Sequence, residues 1–326
     1  MSFRQDRTNP SSAVSNWKGR TDTPKGHPST RVSTWMNGGL FGGGMSMSYT
    51  GSKFFDLPFT DGFNYFGCES SGTLTVVGSG TVDMLVVGGG GGNDMGIVSY
   101  PNRAMNGGGG GGGVTRVASF DIVAGDYTVV IGAKGTQATT TTASGTDGGD
   151  TTIYINGVYI SAGGGGRGGM GNGTAQAGSP GRQAPSSYSI YRGSGGGGGG
   201  GGVYYAAAGS NGGAGGASAS SGSPATGTFT INNGGSGGTP SAFDPAGGGG
   251  GCGWNASGNG TPSGAGYEGI QWNNYLSSSY WYGQGGSNGS ITSPNTNPQT
   301  DGRMGKGGSQ FNGIGKDGTV IFKWAP

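Results

Sequence analysis

Short apolar segments, rich in β-branched residues and bounded by turn residues, recur along this chain. Such segments predict β-strands, because Val, Ile, Thr and the aromatic residues fit a pleated, half-buried surface. These strand signals, with the hairpin turns and glycine runs between them, predict a chain essentially free of helix. The internal segments are 73–77, 81–87, 114–122, 126–131, 151–155, 158–160 and 228–231.

Turn residues between these segments predict how the strands connect. The glycines of 78–80 and 123–125 predict two hairpins, and Asn156-Gly157 is the strongest short-range hairpin signal. A last strand is predicted at 319–324, and it is apolar enough to need a partner. We expect it to join the sheet that contains 81–87. These elements together predict an all-β fold built on a small antiparallel β-sandwich.

Glycine contributes 85 of the 326 residues, much of it in uninterrupted runs. Ordering so much glycine costs on the order of 40–85 kcal/mol relative to alanine. Such runs are therefore either disordered or packed through their own backbones. Because strand segments alternate with the runs, we predict ordered runs in a polyproline-II-like geometry (polyglycine II), lying side by side and exchanging hydrogen bonds. The runs are 88–92, 107–113, 163–166, 195–202 and 247–251.

Composition changes near residue 66. Residues 1–65 have ordinary composition, and their prolines favour an extended N-terminal arm that becomes ordered on a partner. A flexible leader up to residue 30 is the alternative. The candidate anchoring residues are basic or aromatic: Arg4, Arg7, Trp17, Lys18, Arg20, Arg31 and Trp35.

Residues 66–326 form the predicted glycine-rich domain. Its strands are expected mainly within 66–162 and at 319–324, and glycine-rich loops fill 163–318. Only 30% of the residues are apolar, which favours a modest β core continued by glycine backbone packing.

Charge and targeting signals narrow the class of protein further. The net charge is +2 without a Lys/Arg cluster, so no nucleic-acid partner is expected. The start has no apolar segment typical of a secretory signal, and no apolar run is long enough to insert in a membrane. Cys68 and Cys252 are therefore expected to be two reduced, buried thiols of a protein made in a cytoplasm, although a disulfide between them stays open.

The inventory of reactive residues argues against catalysis. Residues 234–238 match G-x-S-x-G, but the chain has a single histidine, His27, in the predicted arm. A serine nucleophile needs a base beside it, and zinc needs closely spaced Cys or His ligands. We expect no enzyme activity, no cofactor and no metal.

Four blocks of the chain resemble a known family. Residues 72–92, 120–135, 148–166 and 313–324 are similar to the glycine-rich domain of bacteriophage tail fibre and minor tail proteins. A weaker similarity is to the adhesins at the tips of T-even-like long tail fibres, in which polyglycine-II helices pack in a sandwich. The resemblance implies a virion structural protein without catalysis, built for binding. It does not cover residues 1–65 and so says nothing about where the protein attaches. From its composition we expect the N-terminal arm to contact other virion proteins of the tail or capsid, and the loops between glycine runs to contact the host surface.

Aromatic residues among Asn, Gln and Ser mark the candidate recognition loops. The segment 267–282 is the richest, and further tyrosines lie within 182–192. Such composition suits a bacterial surface glycan or outer-surface protein, but the same side chains could instead be local packing residues. The candidate receptor-binding residues are Tyr188, Tyr191, Tyr267, Trp272, Tyr275, Tyr280, Trp281 and Tyr282.

Two other classes of protein stay open. A capsid decoration or head-fibre protein would share the fold and differ in what the arm contacts. A non-viral glycine-rich surface or ice-binding protein would draw on Thr139–Thr142, which is too short for a regular array. A homo-oligomer is compatible with each of these classes.

Overall fold

The computed structural model contains β-strands and no helix among the residues that it describes. The all-β prediction is therefore confirmed. The chain divides into two compact units, Met1–Gly44 and Met45–Pro326, and the fold below is that of the second. The described residues are 44–58, 62–93, 104–105, 107–139, 145–170, 189–204, 211–239, 249–252, 270–271, 281–283, 285–286, 304–305, 307 and 314–326.

The strands are short, and most of them belong to two large sheets. In chain order they are β1 (Ser46–Tyr49), β2 (Lys53–Pro58), β3 (Asn64–Cys68), β4 (Gly72–Val77), β5 (Gly80–Val87), β6 (Ala104–Met105), β7 (Val114–Ile122), β8 (Gly125–Val130), β9 (Thr151–Ile155), β10 (Val158–Ala162), β11 (Tyr191–Ser194), β12 (Val203–Tyr204), β13 (Ala219–Ser221), β14 (Thr228–Thr230), β15 (Ile270–Gln271), β16 (Trp281–Tyr282) and β17 (Thr319–Trp324).

The first sheet has seven strands in the order β1-β4-β8-β9-β10-β11-β13, and the second has six in the order β14-β7-β5-β17-β3-β2. In the second sheet β17 lies between β5 and β3 and pairs antiparallel with both. The prediction that 319–324 joins the sheet of 81–87 is confirmed. Every residue of β17 except Lys323 is buried, which explains why so apolar a segment needs two neighbours.

Local turn chemistry predicted one connection correctly and two wrongly. Asn156 and Gly157 have φ angles of 48° and 78°, and they join β9 to β10 in a tight hairpin. The turns at 78–80 and 123–125 are not hairpins, because β4 and β8 lie in the first sheet whereas β5 and β7 lie in the second. These turns carry the chain across the sandwich, so that the strands on each side of them face one another instead of pairing.

One hydrophobic core fills the space between the two sheets. Alternate residues of facing strands contribute to it, as expected for packed sheets. Its largest fully buried side chains include Phe66, Phe120 and Phe322 from the second sheet and Ile153 and Ile155 from the first.

A second, smaller cluster covers the other face of the second sheet. It contains Tyr65, Leu85, Val87, Val114, Cys252, Tyr282 and Ile321. Cys68 belongs to the main core instead, and both cysteines are buried thiols that form no disulfide. The prediction of two reduced, buried cysteines is confirmed, since the second sheet separates them.

The predicted boundary of the N-terminal arm at residue 65 is wrong. β1, β2 and β3 are part of the two sheets, and the division between the compact units falls after Gly44. The reason is that β3 is buried beside β17: Phe66 and Cys68 complete the main core, and Tyr65 belongs to the smaller cluster on the other face. Proline in this stretch is compatible with a strand here because Pro58 ends β2 at a sheet edge.

Candidate functional site

Glycine-rich segments continue the strands of both sheets and pack together into what we call the glycine bundle. Its described segments are 88–93, 107–113, 132–136, 145–150, 163–169, 195–202, 211–217, 233–238, 249–252, 283, 285–286, 304–305, 307 and 314–318.

The hydrogen bonds of the bundle repeat every three residues. The N–H groups of Gly107, Gly110 and Gly113 donate to carbonyls of 163–169, at N···O distances of 3.0, 2.7 and 2.7 Å. The N–H groups of Gly111 and Gly112 donate to Gly250 and Gly305, which belong to two other segments. A period of three is that of a polyproline-II-type helix, which directs successive groups to three different sides.

The segment 107–113 illustrates how completely an inner segment is surrounded. Its carbonyls accept hydrogen bonds from 88–93, 195–202 and 285–286, in addition to the three segments to which it donates. No glycine within 107–113 has a positive φ angle. The prediction that the runs lie side by side and exchange backbone hydrogen bonds is therefore confirmed for the described segments.

The contacts between segments leave no space for side chains. A Cβ atom added to Gly110 would lie 2.0 Å from the carbonyl oxygen of Gly197, and one added to Gly197 would lie 2.0 Å from that of Gly250. Real Cβ atoms do not approach an oxygen so closely. Glycine is required here for close backbone approach, and not for an unusual φ angle.

Polar side chains complete the hydrogen bonding at one flank of the bundle. The carboxylate oxygens of Asp147, Asp150 and Asp317 accept hydrogen bonds from the N–H groups of Arg167, Gly164 and Lys134, at 2.8, 2.9 and 2.8 Å. These acceptors stand where a further segment would supply a carbonyl. At this flank, side-chain carboxylates therefore satisfy backbone N–H groups that have no neighbouring segment to bond to.

All the bundle segments extend from the same end of the sandwich. β5 continues directly into 88–93, and 107–113 leads back into β7. The Gly88 N–H donates to the Gly113 carbonyl and the Gly91 N–H to the Gly110 carbonyl, so these two segments are antiparallel. Residues 93 and 107 consequently lie at the end of the bundle away from the sheets, which we call the distal end.

The opposite end, which we call the base, carries the tight turns of the sandwich. These include 78–80, 123–125 and 156–157. At the distal end, bundle segments end where the connections 94–103, 205–210 and 240–248 begin. The described residues that flank these connections lie at this end. The second unit thus has short turns at its base, and its bundle segments lead into longer stretches of sequence at the distal end.

Two of the predicted receptor-binding residues are packing residues. Tyr191 is fully buried; its ring stacks on Tyr159, with centroids 5.8 Å apart, and its hydroxyl is 2.8 Å from the Ser161 Oγ. Tyr282 is 6% exposed and belongs to the cluster behind the second sheet. The prediction is corrected for these two positions, because side chains with almost no exposed surface cannot form a receptor contact.

The remaining predicted site residues stay predictions. Trp281 pairs with Gln271 through the backbone of β16, and its side chain lies outside the description. The Cys252 N–H donates to the Gly283 carbonyl, so the described ends of 267–282 lie beside the second sheet and not at the distal end. Outside the described residues are Tyr188, Tyr267, Trp272, Tyr275, Tyr280, Arg4, Arg7, Trp17, Lys18, Arg20, Arg31 and Trp35.

The described residues offer little reactive chemistry. Burial raises the pKa of the Cys68 thiol to about 12, which keeps the thiol protonated and unreactive at neutral pH. Burial likewise raises the pKa of Tyr191 to about 12. Within the described part of the chain, no three His, Cys, Asp or Glu side chains cluster as metal ligands do, and no helix could span a bilayer.

Comparison with known proteins adds no assignment. No protein family matches the chain, and no characterised protein is significantly similar to it. The resemblance to phage tail proteins therefore stays a prediction.

Proposed function

We propose that this chain is a structural protein of a bacteriophage virion, a tail-fibre or adhesin component that binds the host cell surface. It carries out no catalysis, and its work is to hold binding loops at a fixed position. In this proposal the contacts to the host come from the chain connections at the distal end of the glycine bundle.

The observation that carries the proposal is the bundle itself. A bundle whose backbone groups bond to one another, segment by segment, is a stiff support that needs no hydrophobic core of its own. Loops held by such a support can vary in sequence without disturbing the fold, which is the arrangement expected of a recognition protein.

The polarity of the molecule supports the same proposal. The described domain begins at the base, where Met45 packs beside Gly80, and its last strand also ends on the base side beside Val82. Residues 1–44 therefore join the described domain at the base, the end of that domain opposite the connections that we propose to contact the host. Attachment to other virion proteins by the basic and aromatic residues of this segment remains part of the proposal.

Replacing distal connections tests the proposal. Residues 94–103 or 205–210 are exchanged for Gly/Ser linkers of equal length in the particle, and adsorption to host cells is measured. We expect adsorption to fall while the far-ultraviolet circular dichroism of the purified variant stays that of the parent protein. A matched control at the base, Val123→Ser, changes an exposed side chain and should leave adsorption unchanged.

Particle imaging separates the tail location from the alternative on the capsid. Particles labelled on this protein should carry the label on the tail or its fibres. Label on the capsid shell, together with normal adsorption after both loop replacements, would replace this proposal with that of a capsid decoration protein.

A further inference from the structure

The outer face of the first sheet is formed by side chains that the core does not use. In β9, Ile153 and Ile155 are fully buried in the core, so Thr152 and Tyr154 point to the other side. In β10, Ile160 points inward and Tyr159 outward by the same alternation. This face is separate from the glycine bundle and from the cluster behind the second sheet.

Three tyrosines form a row across neighbouring strands of this face. Tyr154 stands directly opposite Tyr159 in the antiparallel pair β9–β10, and Tyr159 stands opposite Tyr191 in the parallel pair β10–β11. The rings of Tyr159 and Tyr191 are stacked at an interplanar angle of 29°, and the Tyr191 hydroxyl is held by Ser161. The row is thus fixed at its buried end, whereas Tyr154 at the other end is 51% exposed.

Hydroxyl and small apolar groups surround the exposed end of the row. Val130, 44% exposed, stands opposite Thr152, and Thr128 stands opposite Thr73 on the next strand. The Thr75 hydroxyl donates to Asp126 at 2.6 Å. Among the outward positions of β4, β8, β9 and β10, all of which are described, none is Lys or Arg.

We propose that this face binds a neutral saccharide chain, with the ring of Tyr154 as the stacking residue. Aromatic rings stack on the C–H faces of sugar rings, and Thr hydroxyls exchange hydrogen bonds with sugar hydroxyls. A sheet face several strands wide suits an extended chain of sugars. The lack of Lys and Arg at the outward positions of β4, β8, β9 and β10 argues for a neutral glycan over an anionic one. The pre-ordered row also limits the entropy lost on binding.

This inference rests on the proposed function in one respect, that the protein works by binding a cell surface. It differs in placing a contact on the side of the sandwich instead of at the distal end. Tyr154 and Tyr159 were not among the predicted site residues, because the alternation of inward and outward side chains in this hairpin is that of any ordinary strand pair. The signal in the sequence was a pair of tyrosines at outward positions, one on each side of Asn156-Gly157.

Titration calorimetry on the full chain tests the inference with three uncharged probes, maltohexaose, cellohexaose and laminarihexaose. We expect at least one to bind, and Tyr154→Ala to weaken that binding by about tenfold or more. Tyr154→Phe keeps the ring and should retain most of the affinity. Phe63→Ala, which removes another exposed aromatic ring, is the matched control and should bind as the parent does.

Two results would overturn the inference: binding of none of the three probes, or equal affinity of the parent and Tyr154→Ala. Thermal unfolding of Tyr154→Ala should be near that of the parent, because half of this side chain is exposed. Adsorption that survives replacement of the distal connections would remove the proposed function but leave Tyr154-dependent saccharide binding standing. If replacing those connections abolishes adsorption but the parent binds none of the saccharides, the proposed function stands and the saccharide site is wrong.

Discussion

Substituting alanine for Gly110 perturbs the centre of the glycine bundle by a single methyl group. The new Cβ would lie 2.0 Å from the Gly197 carbonyl oxygen and 2.6 Å from its carbon. Ordinary contact begins near 3.4 Å, so the two segments must separate by more than an ångström. Gly110 cannot turn away, because its N–H donates to Gly166 at 2.7 Å and its carbonyl accepts from Gly91 at 2.9 Å.

The expected loss of stability follows from these contacts. Overpacking a filled interior costs about 1–3 kcal/mol. Weakening the two hydrogen bonds of Gly110 adds about 1 kcal/mol each. Alanine also lowers the entropy of the unfolded chain, which offsets about 0.4–1 kcal/mol of this loss of stability. We therefore expect Gly110→Ala to lower the free energy of unfolding by roughly 2–5 kcal/mol.

Equilibrium urea unfolding of the purified protein measures this change, followed by intrinsic fluorescence. Gly80→Ala is the matched control, because an added Cβ there meets only Met45 at 3.5 Å, an ordinary contact, and the φ angle is not positive. The control should match or slightly exceed the parent in stability. If Gly110→Ala unfolds at the same urea concentration as Gly80→Ala, the bundle is not packed as described.

Three further predictions follow from the sandwich. Phe322→Ala should cost about 3–5 kcal/mol of unfolding free energy in the same urea assay, because Phe322 is fully buried between the sheets; a cost below 1 kcal/mol would contradict the central position of β17. Gly157→Val should lower the melting temperature by several degrees, because Gly157 has a φ angle of 78°; an unchanged melting temperature would contradict the hairpin geometry. Burial raises the pKa of Cys68 from 9.0 to about 12 and that of Tyr191 from 10.0 to about 12. As the pH rises, these groups ionise first in the unfolded chain, which favours unfolding. Their contribution to the free energy of unfolding is therefore complete below pH 9 and is lost as the pH rises towards 12. Urea unfolding between pH 8 and 11 should show this loss, and Cys68→Ala should reduce the decline between pH 9 and 10; equal slopes for the two proteins would contradict the burial of the thiol.

Strand identity was readable from the sequence because it depends on local composition. The apolar pattern of 319–324 predicted a buried strand and its sheet, and Asn156-Gly157 predicted the hairpin, in which both residues have positive φ angles. The sequence did not show that the strands on each side of 78–80 and of 123–125 belong to different sheets. A short glycine turn joins two strands equally well whether they pair side by side or face each other across a core, and only distant partners such as β17 decide between these arrangements.

The candidate site was less readable, because burial of an aromatic residue depends on what covers it. Tyr191 lies among Ser, Gly and Arg, a composition typical of a recognition loop, yet it packs on Tyr159 and Ser161 from a strand about thirty residues earlier. Order in the glycine runs could be inferred from the strands between them. Which runs become neighbours could not be inferred, because glycine segments carry no side chains by which one is distinguished from another.

Amide hydrogen exchange of the glycine runs tests the central claim most directly, that they form an ordered, mutually hydrogen-bonded bundle. Protein labelled with 15N-glycine reports on the amides that donate to other segments, and we expect these to be protected to a degree comparable to β5 in the core. They are the amides of Gly107, Gly110, Gly111, Gly112, Gly113, Gly195, Gly197, Gly198, Gly200 and Gly201. Exchange of these amides at the rate of a free Gly/Ser linker, with β5 still protected, would contradict the account.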